Sequence, residues 1–338
     1  MTPLDRLLDF FARHPLRLPQ SRGGRVALAL VFIYIVWGST YLALHVALQA
    51  FPPLTLSGLR NLLGGIGLFI FALRRRPAWP SLVEIRNSAI VGTMLVALSS
   101  GMIALGMRTV SSGSAAVMVA TVPLFATVIA AVAGRPVTKG EWAAVALGMV
   151  GIVVLNAGGS SAENSALGTI TVLAGALFWA GGAHLATRLK LPSDLFLSTS
   201  LQIGLGGLMS TLAAWLLGER IGQLAVMPVL ASVYLMVFCT MAAYVAYGYL
   251  IRHTSPIISS SCMYVNPIVA VALGAVLLGE PVTMATVMAT VAILGSVGLS
   301  FLFDPARKGM PRTGVAAGQA GQDGRTSGQP SVVAPANE

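Results

Sequence analysis

Charge is scarce in this chain: only 9% of its 338 residues are Asp, Glu, Lys or Arg, against about 25% in soluble domains. That shortage excludes a water-soluble globule, and with it soluble enzymes and nucleic-acid-binding domains. Cysteine is nearly absent as well. The two present, Cys239 and Cys262, lie in apolar runs where a thiol behaves as a small hydrophobe, so a disulfide scaffold has no basis. No Walker A sequence, HExxH or spaced Cys/His cluster occurs, which leaves ATP hydrolysis and metal catalysis without their parts and no cofactor or metal to expect. Acidic residues number 11, all at or beyond the ends of apolar runs. The intramembrane carboxylate relay of many proton-coupled carriers is therefore missing, and downhill or indirectly coupled movement is favoured.

What the chain has in abundance is apolar length. Hydrophobic residues make up 56%, glycine occurs 37 times and mean hydropathy is +0.82. A bilayer core needs about 20 apolar residues per helix, and ten such runs are predicted: 26–47, 54–73, 87–107, 112–134, 139–156, 166–189, 194–217, 228–250, 256–279 and 283–303. Breaks such as Phe51-Pro52-Pro53, Arg135-Pro136, Ser255-Pro256 and Glu280-Pro281 separate them. The predicted class is an all-α polytopic membrane protein.

Lys and Arg concentrate in cytoplasmic loops. An interior N-terminus places 18 of the 21 basic residues inside, leaving Arg108 and Arg220 outside and Arg60 within a span, so both termini are expected in the cytoplasm. Residues 1–25 do not read as a cleavable signal. Leu4, Leu7, Leu8 and Phe11 recur at helical spacing with Arg6 and Arg13 off that stripe, as in a cytoplasmic amphipathic helix lying on an anionic surface. Residues 304–338, poor in large apolar side chains, read as a disordered cytoplasmic tail.

The halves repeat. Leu59 to Gly65 aligns with Leu201 to Gly207 at an offset of 142, which also superposes Trp37 on Trp179. Arg108, Ser111 and Pro123 align with Arg252, Ser255 and Pro267 at 144, and Pro136-Val137-Thr138 with Pro281-Val282-Thr283 at 145. Five spans per repeat is an odd number, so the copies, 26–156 and 166–303, enter the membrane from opposite sides. Ten transmembrane helices as two inverted five-helix repeats is an architecture of alternating-access carriers, with the substrate held near the midplane.

In these marks, and in Trp37-Gly38, Arg60, Ala104-Leu105 and Gly279-Glu280-Pro281, the chain resembles the ten-helix carriers of the drug/metabolite transporter superfamily with two EamA-type repeats. The resemblance covers about residues 26 to 303. The first copy departs from the pattern with Gly134-Arg135-Pro136 where Gly-Glu is expected. Among these carriers the resemblance is closest to bacterial exporters of aromatic and other neutral amino acids. It implies a bacterial inner-membrane location, outward transport and a small-molecule substrate.

Several side chains are candidates for the transport path. Arg60 is the one full charge inside a predicted span, about 12 Å from Pro52 along a continuous helix; it either attracts a substrate carboxylate or braces the repeat interface on backbone carbonyls. Trp37, Trp179, Tyr244, Tyr264 and Asn266 offer amphipathic rings and an amide, with Met102 and Met118 as adaptable walls; interfacial belts or plain packing are the ordinary alternatives. Pro123 and Pro267 each remove a helical amide and are hinge candidates, or static kinks. The Gly148/Gly151 and Gly295/Gly298 pairs are read as close-packing positions. Rival functions are a carrier of nucleotide-sugar-like anions or of drugs, an intramembrane enzyme and a channel. These would want, respectively for the nucleotide-sugar carrier, enzyme and channel, several basic residues in the spans, paired His/Asp/Glu there, or a filter-like sequence. The partners are a small-molecule substrate and the lipid bilayer, with no nucleic acid, and nothing in the sequence requires more than a monomer.

Overall fold

A computed structural model describes residues 21–75, 77–157, 165–254, 258 and 261–303. Most of the predicted amphipathic segment and the whole predicted tail lie outside the described residues. Eight helices are long and apolar enough to cross a membrane: α1 (Arg22–Ala47), α2 (Pro53–Leu73), α3 (Leu82–Gly106), α4 (Ser112–Val132), α5 (Lys139–Ala157), α6 (Ala166–Arg188), α7 (Leu195–Leu216) and α8 (Val226–Leu250). Two further apolar helices follow, α9 (Cys262–Leu278) and α10 (Met284–Phe303). Of the ninth predicted run, which begins at 256, residues 256, 257, 259 and 260 lie outside the described residues.

The helix starts follow local chemistry. Ser81 and Glu84 form a reciprocal capping box at α3, with Glu84 Oε2 accepting from the Ser81 amide at 2.7 Å. Ser111, Ser165 and Asp194 cap α4, α6 and α7, each side-chain oxygen taking a first-turn N–H that has no helical partner. Pro53 opens α2, where a missing N–H is harmless.

Small residues decide which helices come closest. A Cβ on Gly65 of α2 would lie 2.5 Å from Gly204 Cα of α7, and one on Gly207 would lie 2.4 Å from Leu62 N, so these helices meet backbone to backbone. The pair α5–α10 is the second intimate contact, with Gly148 and Gly151 facing Ser296 and Ile293. Gly295 and Gly298 face open space, which corrects the expectation that both glycine pairs serve packing.

Around these two pairs stand two groups of three. Helix α1 packs on α8 and α9, and α6 packs on α3 and α4. The groups meet where α9 lies against the first half of α4, Ser112–Val119; α9 makes little or no contact with the second half, Val122–Val132. Helices α4 and α9 therefore meet at the Ser112 end and diverge beyond Thr121.

Candidate functional site

Helix irregularities mark the inner surface of the bundle. Helix α1 is interrupted at Ser39, between Arg22–Gly38 and Thr40–Ala47, where the Ser39 hydroxyl donates to the Val36 carbonyl at 3.1 Å and hydrogen-bonds the Tyr234 hydroxyl at 2.7 Å. Helix α4 is interrupted at Ala120–Thr121, two residues before Pro123, and the Thr121 hydroxyl donates to the Met118 carbonyl at 2.6 Å. Pro267 instead sits inside a continuous α9. Of the two predicted bends, one is thus a break and the other lies within an unbroken helix.

Helices α3 and α8 each contain a π-helical stretch, Thr93–Ser100 and Leu235–Ala242. These lie 142 residues apart, the offset that relates Trp37 to Trp179. A π turn widens the helix and shifts the faces that its side chains and carbonyls present, and it recurs at functional sites. Here both stretches serve one cluster. The indole of Trp37 donates to the Cys239 carbonyl at 3.1 Å, and Arg60 Nη2 donates to the Ser100 hydroxyl at 2.8 Å.

Arg60 is half-buried on α2, with Tyr41, Tyr244 and Cys239 as its electrostatic neighbours. None of these is a carboxylate, and among the described residues no acidic side chain pairs with it. Its Nε is buried without a hydrogen-bond partner. A guanidinium has five donors; its recorded bond is to a side-chain hydroxyl, not to the backbone carbonyls considered from sequence.

The aromatic candidates separate into two walls. Trp37 packs edge-on to Tyr244, with ring centroids 6.1 Å apart, and tilted against Tyr247 at 5.1 Å. Trp179 belongs to another cluster, packing with Val119, Phe125 and Ile129 around the buried Val122, Ala126, Ala176 and Ala180. Val119 touches the clusters of both walls. Trp37, Tyr244, Tyr247 and Trp179 all keep partial exposure. Tyr264 and Asn266 are also half-buried, but two residues apart on α9 they cannot share a face; the buried Asn266 Oδ1 has no partner. Met102 is half-buried on α3. Met118 is fully buried in the packed core.

Sequence reasoning missed Tyr41, Ser100 and Tyr234. A serine or tyrosine in an apolar run carries no sign of its own, and Ser100 meets Arg60 only through the π stretch, which has no periodic signature.

The profile of the EamA-like transporter family matches residues 24–157 and again residues 166–302. The chain belongs to that family. It is thus a multi-pass membrane transporter. It is 39% identical over 254 residues to the uncharacterized inner membrane transporter YedA of Escherichia coli strain K12, covering 75% of this chain and 82% of YedA. A probable terminal-alkyne amino-acid exporter of Streptantibioticus cattleyicolor is 27% identical over 272 residues, 79% of this chain and 90% of that protein. A solved crystal structure aligns over 82% of this chain and 97% of its own at a TM-score of 0.57 and 18% identity; that likeness is one of fold.

Proposed function

We propose that this EamA-family transporter is an alternating-access carrier that exports small amphipathic metabolites, foremost aromatic and other neutral amino acids, across a bacterial inner membrane. The observation that carries the reading is the uncompensated Arg60 guanidinium beside a neutral aromatic wall of Trp37, Tyr244 and Tyr247. A zwitterion with an apolar side chain has the complementary parts: a carboxylate for the free Nε, and a side chain for the rings. Trp179, Asn266 and Met102 complete the proposed lining, with the unpartnered Asn266 Oδ1 as an acceptor for the ammonium group; Tyr264, on another face of α9, lies outside it. The name of the Streptantibioticus relative supports an amino-acid substrate and outward transport; that of the Escherichia coli relative supports the inner membrane.

Ten crossings with both termini inside, in two inverted repeats, is the topology this reading requires. Its support is that the neighbour pattern largely survives exchange of the copies. The contacts α1–α8, α1–α9 and α2–α8 correspond to α6–α3, α6–α4 and α7–α3, while α2–α7 and α5–α10 map onto themselves. In such a carrier Pro123 and Pro267 are hinges. Pro123→Ala and Pro267→Ala are expected to lower the turnover of exchange more than the half-saturating concentration, since a hinge governs the passage between states and not the contacts within one; initial rates in proteoliposomes check this, and unchanged turnover in both would reduce the prolines to static kinks.

Proteoliposome counterflow against a panel of amino acids, sugars and nucleotide sugars tests the function. Saturable, mutually competitive exchange of phenylalanine, tryptophan and small neutral amino acids is expected. Exchange confined to nucleotide sugars, or flux that does not saturate, would refute it.

A further inference from the structure

Three turns of this protein share one backbone device. Gly134, Gly218 and Gly279 take left-handed conformations, with φ of 87°, 70° and 66°, and the next residue's amide returns to a carbonyl of the preceding helix: Arg135 to Ala130 at 2.9 Å, Glu219 to Ala214 at 2.9 Å and Glu280 to Gly274 at 3.1 Å. A side chain with a Cβ strains at such a φ, so glycine is needed, and the reversal carries the following side chain out of its own helix.

Two of the three following residues are carboxylates, and each reaches a helix of the other half of the chain. Glu219 accepts from Leu54 N at 3.2 Å, Thr55 N at 2.7 Å and Thr55 Oγ1 at 2.8 Å. Glu280 accepts from Ser112 N at 2.7 Å and Gly113 N at 3.0 Å. These are first-turn amides without helical partners, at the positive end of the helix dipole. The third position holds Arg135, whose Nη2 donates to Glu141 in its own half at 2.6 Å.

The two carboxylates join different kinds of contact. Glu219 fastens α2 to α7, helices already locked backbone to backbone. Glu280 fastens the end of α9 to the start of α4, the pair that parts beyond Thr121. Two glycines clear the space: a Cβ on Gly274 would lie 2.5 Å from Glu280 Oε2 and 2.9 Å from Ser112 Oγ, and one on Gly113 would lie 3.2 Å from Val271 Cγ2. A small cavity beside Glu280, lined also by Ser111, Ser114, Thr283 and Thr286, suits no cation, because both carboxylate oxygens already receive N–H groups at a helix's positive end.

We infer that Glu280 is the latch of the Ser112 end of the bundle, and that it must release Ser112 and Gly113 in each transport cycle. At the corresponding turn Arg135 stands in place of a carboxylate and pairs within its own half, so the latch favours the state closed at the Ser112 end. This rests on the carrier reading above; with an interior N-terminus the latched end is the outer one, and the resting carrier loads from the cytoplasm.

The test is labelling of a single cysteine at Val119, between the two walls, in the full-length chain with Cys239 and Cys262 replaced. A membrane-impermeant maleimide is applied to spheroplasts and to inverted vesicles. The unlatched variant Glu280→Gln keeps the side chain's shape and loses its charge. Ser112→Pro removes one of the two donors at a first helical position where proline is tolerated, after Ser111, whose extended backbone suits a following proline. Both are expected to raise labelling at the latched face about 2- to 30-fold, the range of a lost cap, while Glu219→Gln leaves it unchanged. Ser112→Pro decides the matter should Glu280→Gln fail to accumulate. Unchanged labelling in folded protein, or an equal rise in Glu219→Gln, would overturn the latch. Interchanged faces would refute the orientation alone, and raised labelling without amino-acid counterflow in the parent would refute the substrate alone.

Discussion

Arg60→Gln is expected to weaken binding of carboxylate-bearing substrates by roughly 10- to 150-fold, the equivalent of about 1.5–3 kcal/mol for a hydrogen bond to a charged group. Among the described residues no carboxylate pairs with the guanidinium, and its buried Nε has no hydrogen-bond partner. Phenylalaninamide, which lacks the carboxylate, should lose little. The ratio of the two affinities, measured by competition against labelled phenylalanine, therefore collapses toward one. Arg60→Lys should recover only part of the difference, because an ammonium keeps the charge but not the planar fork. A purely bracing Arg60 would lower transport of both ligands together and leave the ratio alone.

The second large effect belongs to Trp37. Truncation to Ala removes a ring in contact with Tyr244 and Tyr247 and leaves the Cys239 carbonyl without its indole donor. Replacing a fully buried tryptophan costs about 3–5 kcal/mol; Trp37 is half-buried, so the cost falls below that range and folded protein remains for assay. Stacking is worth about 0.5–1.5 kcal/mol beyond area, so Trp37→Ala should lower selectivity for phenylalanine over alanine by about 2- to 12-fold. Trp37→Phe should restore most of the selectivity without the hydrogen bond. Trp179→Ala, compared at equal expression, reports on the second wall. Wild-type affinity and rate for every substrate in all of these variants would remove the rings from the path.

Much of this site is legible before any coordinates. Apolar length and the positions of proline and charge place the helices, because lipid leaves the backbone few alternatives. Arg60 and Trp37 stand out as costly or amphipathic groups in apolar runs. The Gly279-Glu280 signal is visible too, although its reason is not: the left-handed glycine and the carboxylate on a neighbouring helix's amides are tertiary facts. Gly218-Glu219 has the same geometry and went unnoticed, lacking the following proline. The division of the aromatics between two walls, and the burial of Met118, depend on which helices approach most closely. That is decided by glycine contacts such as Gly65–Gly204 across 139 residues of chain. The π stretches leave no periodic trace, so Ser100 could not be joined to Arg60.

The central claim is that a zwitterionic substrate sits between Arg60 and the Trp37 wall. A structure of the full-length protein in lipid nanodiscs with saturating phenylalanine tests it most directly. The account predicts the carboxylate at about 2.7–2.9 Å from an Arg60 nitrogen, with the phenyl ring against Trp37 and Tyr244. Phenylalanine bound away from Arg60, with the Arg60–Ser100 bond unchanged and Nε still unpaired, would contradict it.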